Sequence, residues 1–170
     1  MHAHGTVGLW ALLAGALLLW PATGRAEEMG SADAGLVYGF GALGAVHSQT
    51  TFHAGLGYET PGLQGLRGSF ELGYLAPVAG PDYGIGVLSL NAAYHFPRAG
   101  KWSPFVTGGY SLAFRSETAN LLNLGGGVDY WRNASSGLRL ELRDHIWLED
   151  GFGDAHYWGV RVAFVLRLSK

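Results

Sequence analysis

The segment Gly137–Trp147, GLRLELRDHIW, sets leucine against charge at every second position. Leu138, Leu140 and Leu142 alternate with Arg139, Glu141 and Arg143. A period of two puts successive side chains on opposite faces of a β-strand. The same alternation predicts strands over residues 36–46, 50–60, 66–76, 83–96, 103–114, 120–132, 137–148 and 155–168. Between them lie HSQ, PGLQG, PVAGPD, PRAGK, RSET, NASS and DGFGD. In these, Pro fixes φ, Gly admits positive φ, and Asn, Asp and Ser bond their own backbone. No stretch of this region has a helical apolar period. Short strands and turns at regular spacing predict an antiparallel meander in one domain.

Each predicted strand offers two faces. The bulky, apolar face carries Leu36, Tyr38, Phe40, Ala42, Gly44 and Val46 in the first strand. It continues with Phe52, Leu56 and Tyr58, then Phe70, Leu72 and Tyr74, then Leu88, Leu90, Tyr94 and Phe96. Val106, Tyr110, Leu112 and Phe114 follow, then Leu122, Leu124, Val128 and Tyr130, then the three leucines of the seventh strand. Trp158, Val160, Val162, Phe164, Leu166 and Leu168 complete it. The other face holds Thr51, His53, Glu59, Arg67, Ser69, Glu71, Ser89, Asn91, His95, Thr107, Ser111, Asn123 and Asp129. Arg139, Glu141, Arg143, Arg161 and Arg167 lie there too, among many Gly and Ala.

Size decides which face is inside. An eight-stranded barrel has an interior just wide enough for side chains to fill. Here the large side chains are apolar, and the charged face is the Gly-rich one. An inverted barrel accommodates both facts: large apolar groups face lipid, and small and charged groups fill the bore. A sheet in lipid must close on itself to leave no edge unpaired, and an even strand count suits a bacterial outer-membrane barrel. The expected fold is therefore an all-β, eight-stranded, antiparallel up-and-down transmembrane β-barrel. Its lumen is expected to hold a charge network of Arg67, Glu71, Asp129, Arg139, Glu141, Arg143, Arg161 and Arg167, since buried charges persist only when paired. With the amino terminus in the periplasm, Tyr38, Tyr58, Tyr94 or Phe96, and Tyr130 form one aromatic girdle. Phe52, Tyr74, Phe114 and Trp158 form the other.

Composition agrees with a packed, membrane-compatible domain. Only 14% of the 170 residues are charged, 48% are hydrophobic and 28 are Gly. The chain has no Cys, which excludes disulfides and thiolate metal sites. A net charge of −2 without a basic run gives no support to nucleic-acid binding. Residues 1–26 read as a cleaved signal peptide. VGLWALLAGALLLW is shorter than the ~20 residues of a spanning helix, and Gly24 and Ala26 precede the expected cut before Glu27. The n-region MHAHGT departs from the usual pattern in having no Lys or Arg. Residues 27–170 are then the barrel domain.

Three segments carry a resemblance to a known family: SPFVTGGYSLAF (Ser103–Phe114), NLGGGVDYW (Asn123–Trp131) and GLRLELRDHIW. Together with the strand pattern over the whole mature chain, they resemble the small outer-membrane β-barrel family, the OmpA/OmpX-like eight-stranded barrels. The resemblance implies location in the outer membrane of a Gram-negative bacterium, contact with outer-membrane lipid, insertion by the barrel-assembly machinery and a monomeric state. It implies no cofactor. Two features depart from the family. The chain ends FVLRLSK, with Leu168 where a terminal aromatic is expected, and no peptidoglycan-binding domain is expected after the barrel.

The remaining chemistry is sparse. His53 and His95 fall on the lumen face, and His47, His145 and His156 fall near the outer rim; the spacing predicts no metal site. Some barrels of this kind are lipid A deacylases with a Ser two residues beyond a late-strand His. Here the residue two after His145 is Trp147, so the nucleophile of acyl transfer is missing and no catalytic residue is expected. Asp144 falls in the apolar register; a rim bulge is expected to turn it inward and His145 outward. Gly-rich stretches precede no helix and are not phosphate cradles. The outer loops are short, ~4–7 residues by the predicted strand limits, and long loops are what carry function on such scaffolds. The expectation is a non-enzymatic, porin-like outer-membrane barrel with a plugged, charged lumen, or at most a narrow pore, and a structural or envelope-integrity role. The alternatives are a soluble periplasmic lipocalin-like ligand-binding barrel, with the apolar face inside, and a lipid A-modifying enzyme.

Overall fold

The computed structural model describes residues 34–46, 48–148 and 156–168; the expected signal peptide and His47 lie outside them. The described chain forms β1 (Leu36–Val46), β2 (Gln49–Glu59), β3 (Leu66–Pro77), β4 (Ile85–His95), β5 (Trp102–Phe114), β6 (Thr118–Trp131), β7 (Ser136–Trp147) and β8 (His156–Arg167). Each strand pairs antiparallel with the next, and β8 closes on β1. Leu36 stands opposite Arg167, so β1 begins and β8 ends at the same end of the barrel, called here the terminal end. The fourth strand starts two residues later than predicted, because Pro81–Tyr83 is taken up by a short 3-10 turn. Tyr74 holds that turn by donating its hydroxyl hydrogen to the Pro81 carbonyl at 2.6 Å. The far-end connections are residues 47–48, 78–84, 115–117 and 148–155, two of them shorter and one longer than expected. At the terminal end, Gln64 (φ 52°) and Gly65 (φ 88°) make a two-residue hairpin turn whose positive φ values match strand twist.

Closure satisfies every ladder without a free edge, and the faces divide as an inverted barrel should. From β2 to β8 the bulky apolar register points outward, with Leu138 and Leu140 each 53% exposed, and Arg139 and Arg143 only 3% and 2% exposed. An apolar-lined, lipocalin-like interior is the opposite of this arrangement.

β1 corrects the sequence reading. Leu36, Tyr38, Phe40 and Ala42 are buried inside, Val46 packs on the far-end lumen cluster, and Leu43 is exposed. Tyr38 is therefore not a girdle residue. Both registers of GLVYGFGALGAV are apolar, so bulk alone misassigns them. What settles the orientation is the neighbouring strand. Tyr38 and Phe40 pair with Gly57 and Gly55, and each ring occupies the space a β-carbon would take there: Tyr38 Cζ lies 2.3 Å, and Phe40 Cζ 2.8 Å, from the positions such carbons would have.

The bulge expected at Asp144 is also absent. Pairing runs without interruption through Asn123 with His145 and Leu124 with Asp144 on one side, and through His145 with Tyr157 and Asp144 with Trp158 on the other. His145 thus faces inward and is 2% exposed, while Asp144 keeps its outward register yet is covered to 3%. A partner, and not a flip, accommodates the carboxylate: His156 Nδ1 lies 2.9 Å from Asp144 Oδ2.

Candidate functional site

The lumen is stratified along its axis. Near the terminal end, Arg139 uses its whole guanidinium. Nε and Nη2 donate to Asp129 Oδ1 and Oδ2 at 2.7 and 3.0 Å, and Nη1 donates to Glu59 Oε1 at 2.5 Å. His95 Nε2 lies 2.9 Å from Glu59 Oε2, and His95 Nδ1 lies 3.8 Å from Asp129 Oδ2. The Arg139 guanidinium also sits over the Phe105 and Tyr38 rings, at 4.3 and 4.9 Å from their centroids. Four strands, β2, β4, β6 and β7, are thereby tied across the bore by side chains alone.

The middle layer is a second knot. Arg143 Nε donates to Glu141 Oε1 at 2.6 Å, and its Nη2 donates to Glu71 Oε1 at 3.2 Å. Arg161 Nη2 donates to Glu71 Oε2 at 3.0 Å and Nη1 lies 3.7 Å from Glu141 Oε1. Tyr38 adds a hydrogen bond to Glu71 at 2.7 Å, and Phe40 lies under Arg161 at 3.8 Å. Two arginines thus face two glutamates. Each carboxylate is stripped of water but surrounded by donors, the condition under which buried charge is tolerated. Beside this knot runs a neutral layer. Asn123 Nδ2 donates to Asn91 Oδ1 at 2.7 Å and to Ser111 Oγ at 2.9 Å. Ser111 meets Ser89 at 2.7 Å, and Asn91 Nδ2 donates to Ser69 Oγ at 3.2 Å.

The far end is drier. His53, His145 and Tyr157 converge with ring centroids 5.5–6.0 Å apart, beneath Leu75, Val87 and Leu121. The crevice between them is too small for a water molecule. Neither ring nitrogen of His53 or His145, nor the Tyr157 hydroxyl, has a hydrogen-bond partner. Among the described residues, no three of His, Asp and Glu are grouped to hold a metal ion.

The structure brings six of the eight expected lumen charges into these two knots: Glu71, Asp129, Arg139, Glu141, Arg143 and Arg161. Arg67 is buried at the terminal end, where Nη1 donates to the carbonyls of Ala34 and Thr60, both at 2.9 Å. Arg167 reaches the mouth instead, donating to the Ala134 carbonyl at 3.1 Å. Glu59, His95 and the Ser and Asn layer belong to the same lattice but are missing from the expected set. All lie in the polar register, and that register was the signal. Tyr38 carries no such signal, because Gly57, which makes room for it, stands on β2; Tyr157 is accommodated by Gly44 on β1 together with Gly159 on its own strand.

Outside, Tyr58, Tyr94, Phe96 and Tyr130 circle the terminal end, joined by Trp102. Tyr94 and Phe96 meet at 5.1 Å and Trp102 and Tyr130 at 4.7 Å. Phe52 and Tyr74, 6.2 Å apart, lie toward the far end with Phe114 and Trp158.

No protein-family model and no curated protein matches the sequence. Solved structures do share the architecture. The N-terminal β-barrel domain of Pseudomonas aeruginosa OprF superposes with a TM-score of 0.60 at 19% identity, covering 79% of this chain and 98% of that one. Neisserial surface protein A superposes at 0.65 and 12% identity, covering 79% and 97%. The outer membrane enzyme PagL superposes at 0.55 and 18% identity, covering 77% and 99%. The chain therefore has the fold of the small eight-stranded outer-membrane β-barrels.

Proposed function

We propose that this protein is a non-catalytic outer-membrane barrel whose bore is plugged by its own ion-pair lattice, and whose role is structural support of the envelope. The observation that carries the reading is the inversion of the two faces. A continuous apolar belt of Leu, Val and Phe covers a closed sheet, while Glu59, Glu71, Asp129 and Glu141 are buried within it against arginines. Such a belt is stable only in lipid. The connections at residues 47–48 and 115–117 are short and leave little surface for adhesion there, and an eight-stranded bore filled by cross-strand pairs leaves no ion path unless those pairs exchange partners. The non-catalytic reading is supported at the late-strand histidine, where Trp147 stands two residues after His145. Placement in the bacterial outer membrane, with the terminal end in the periplasm, is supported by the shared architecture with OprF and Neisserial surface protein A. Insertion by the barrel-assembly machinery, a cleaved leader and a monomeric state belong to the same proposal.

The test is fractionation of expressing cells, followed by electrophoresis of the detergent-extracted protein with and without boiling. The expected result is recovery with the outer membrane, a folded band that shifts on heating, and electrically silent behaviour in planar bilayers. Recovery as a freely soluble periplasmic protein would sink the proposal.

A further inference from the structure

We propose that the terminal mouth of the lumen is an anion site, in which Arg98 and Arg167 flank the indole of Trp131 and grip a phosphate-bearing group. The Arg167 guanidinium lies 3.6 Å from the centre of the Trp131 ring and that of Arg98 lies 5.7 Å from it. They arrive from different elements, the end of β8 and the β4–β5 turn, so the indole is the point on which two cations converge. Neither Arg98 nor Arg167 forms an ion pair among the described residues, and the two guanidiniums are close enough to act on each other. The described acids at this end, Glu59 and Asp129, are buried and bound by Arg139 and His95. Two like charges brought this close repel one another. An anion between them removes that cost and gains charge-assisted hydrogen bonds from planar donors suited to phosphate.

A second, independent observation points to the same place. Trp131 is 3% exposed, and its Nε1–H has no hydrogen-bond partner. Buried indole donors are ordinarily satisfied. The ring is seated by Gly137, its cross-strand partner on β7, where an added β-carbon would lie 3.2 Å from Trp131 Cε3. That contact turns the opposite edge of the ring, with Nε1, away from Gly137. A phosphate held by the two guanidiniums has this neutral donor still unclaimed beside it.

Phosphate chemistry can reach this mouth from two sources. One is the headgroup of an anionic phospholipid from the leaflet at the terminal end. It is favoured by the exposed apolar residues next to the mouth, Trp102 and Leu168, and on this arm the proposal rests on the membrane reading above. The other is soluble phosphate, which needs no membrane.

The experiment follows the Trp131 indole N–H by heteronuclear NMR of the full folded chain, the peak being assigned by Trp131→Phe. Inorganic phosphate is titrated in nonionic detergent, and nanodiscs of phosphatidylcholine with and without phosphatidylglycerol are compared. The expected result is a saturable shift of this one indole peak, weakened about tenfold for each guanidinium removed in Arg98→Gln and Arg98→Gln/Arg167→Gln. Arg115→Gln, at the far end, should leave it unchanged. A shift with inorganic phosphate assigns a soluble anion; a shift only with phosphatidylglycerol assigns the headgroup. An unmoved peak in both arms, or the same shift in the double variant, overturns the site. Arg98 lies on an exposed turn, so its single variant keeps the test available if the double variant fails to give the heat-shifting folded band. Failure of the site leaves fractionation and heat-shift behaviour untouched, so it is distinguishable from failure of the membrane reading.

Discussion

Asp144 Oδ2 lies 2.9 Å from His156 Nδ1 on the outside of the barrel, whereas the other described strand carboxylates, Glu59, Glu71, Asp129 and Glu141, point into the lumen. Trp158 and Leu124 stand opposite Asp144 on the two flanking strands, and Asp144 Oδ1 has no partner. Replacing His156 by Leu strands a covered carboxylate on the apolar face. The expected loss is ~1–3 kcal/mol, the cost of leaving a buried acceptor unpaired. Asp144→Leu/His156→Leu should recover most of it. Urea unfolding in phosphatidylcholine vesicles measures both; equal stability of the single variant and the wild type would show that His156 does not hold Asp144.

Arg139 answers two carboxylates at once, so its removal is expected to be among the most damaging single changes in the lumen. Arg139→Met leaves Glu59 and Asp129 without their main donor, at an expected cost of ~3–5 kcal/mol. The triple variant Glu59→Leu/Asp129→Leu/Arg139→Met removes the charges together and should be less destabilised than the single one. The same unfolding assay separates a paired lattice from a set of independent charges, for which the three losses would add.

Gly57 is expected to be intolerant for a reason that lies on β1. A β-carbon there would stand 2.3 Å from Tyr38 Cζ, and Tyr38 is the residue that donates to Glu71. Gly57→Ala should cost ~1–3 kcal/mol through overpacking, and Tyr38→Leu introduced with it should relieve part of that cost. If Gly57→Ala is as stable as the wild type, the ring does not occupy the bore as described.

Residues of this kind mark the limit of what the sequence discloses. From β2 to β8 the outward register is greasy and the inward one is mostly polar or small, with Leu75, Val87, Phe105, Leu121, Trp131, Tyr157 and Val165 as its large apolar members; in β7 alternation alone orients Leu140 outward and Glu141 inward. In β1 both registers are apolar, and Tyr38 and Phe40 go inward because β2 offers Gly57 and Gly55 beside them, a fact of pairing that no single strand contains. Asp144 is similar. A lone carboxylate in an apolar register suggests a register shift, but β8 brings His156 alongside, and the ladder continues unbroken. The lumen charges were legible by sign and register; which arginine answers which glutamate was not, because Arg139 meets Glu59 across the bore, through no shared ladder.

The inversion itself makes a depth-dependent prediction. Leu140 lies mid-strand, opposite Val128 on β6 and Val162 on β8, in the centre of the apolar belt. Leu63, 77% exposed, sits on the β2–β3 turn beyond the belt. If the belt faces hydrocarbon, Leu140→Arg should destabilise the folded barrel in vesicles by ~2–4 kcal/mol and Leu63→Arg by only ~0–1 kcal/mol, since the cost of a lipid-facing cation falls from midplane to interface. If water surrounded the belt, both changes would replace an exposed leucine by an exposed arginine, and neither would cost much. The ratio of the two losses, measured by urea unfolding in the same vesicles, therefore reads the solvent of the outer face directly, independent of any effect on the lumen.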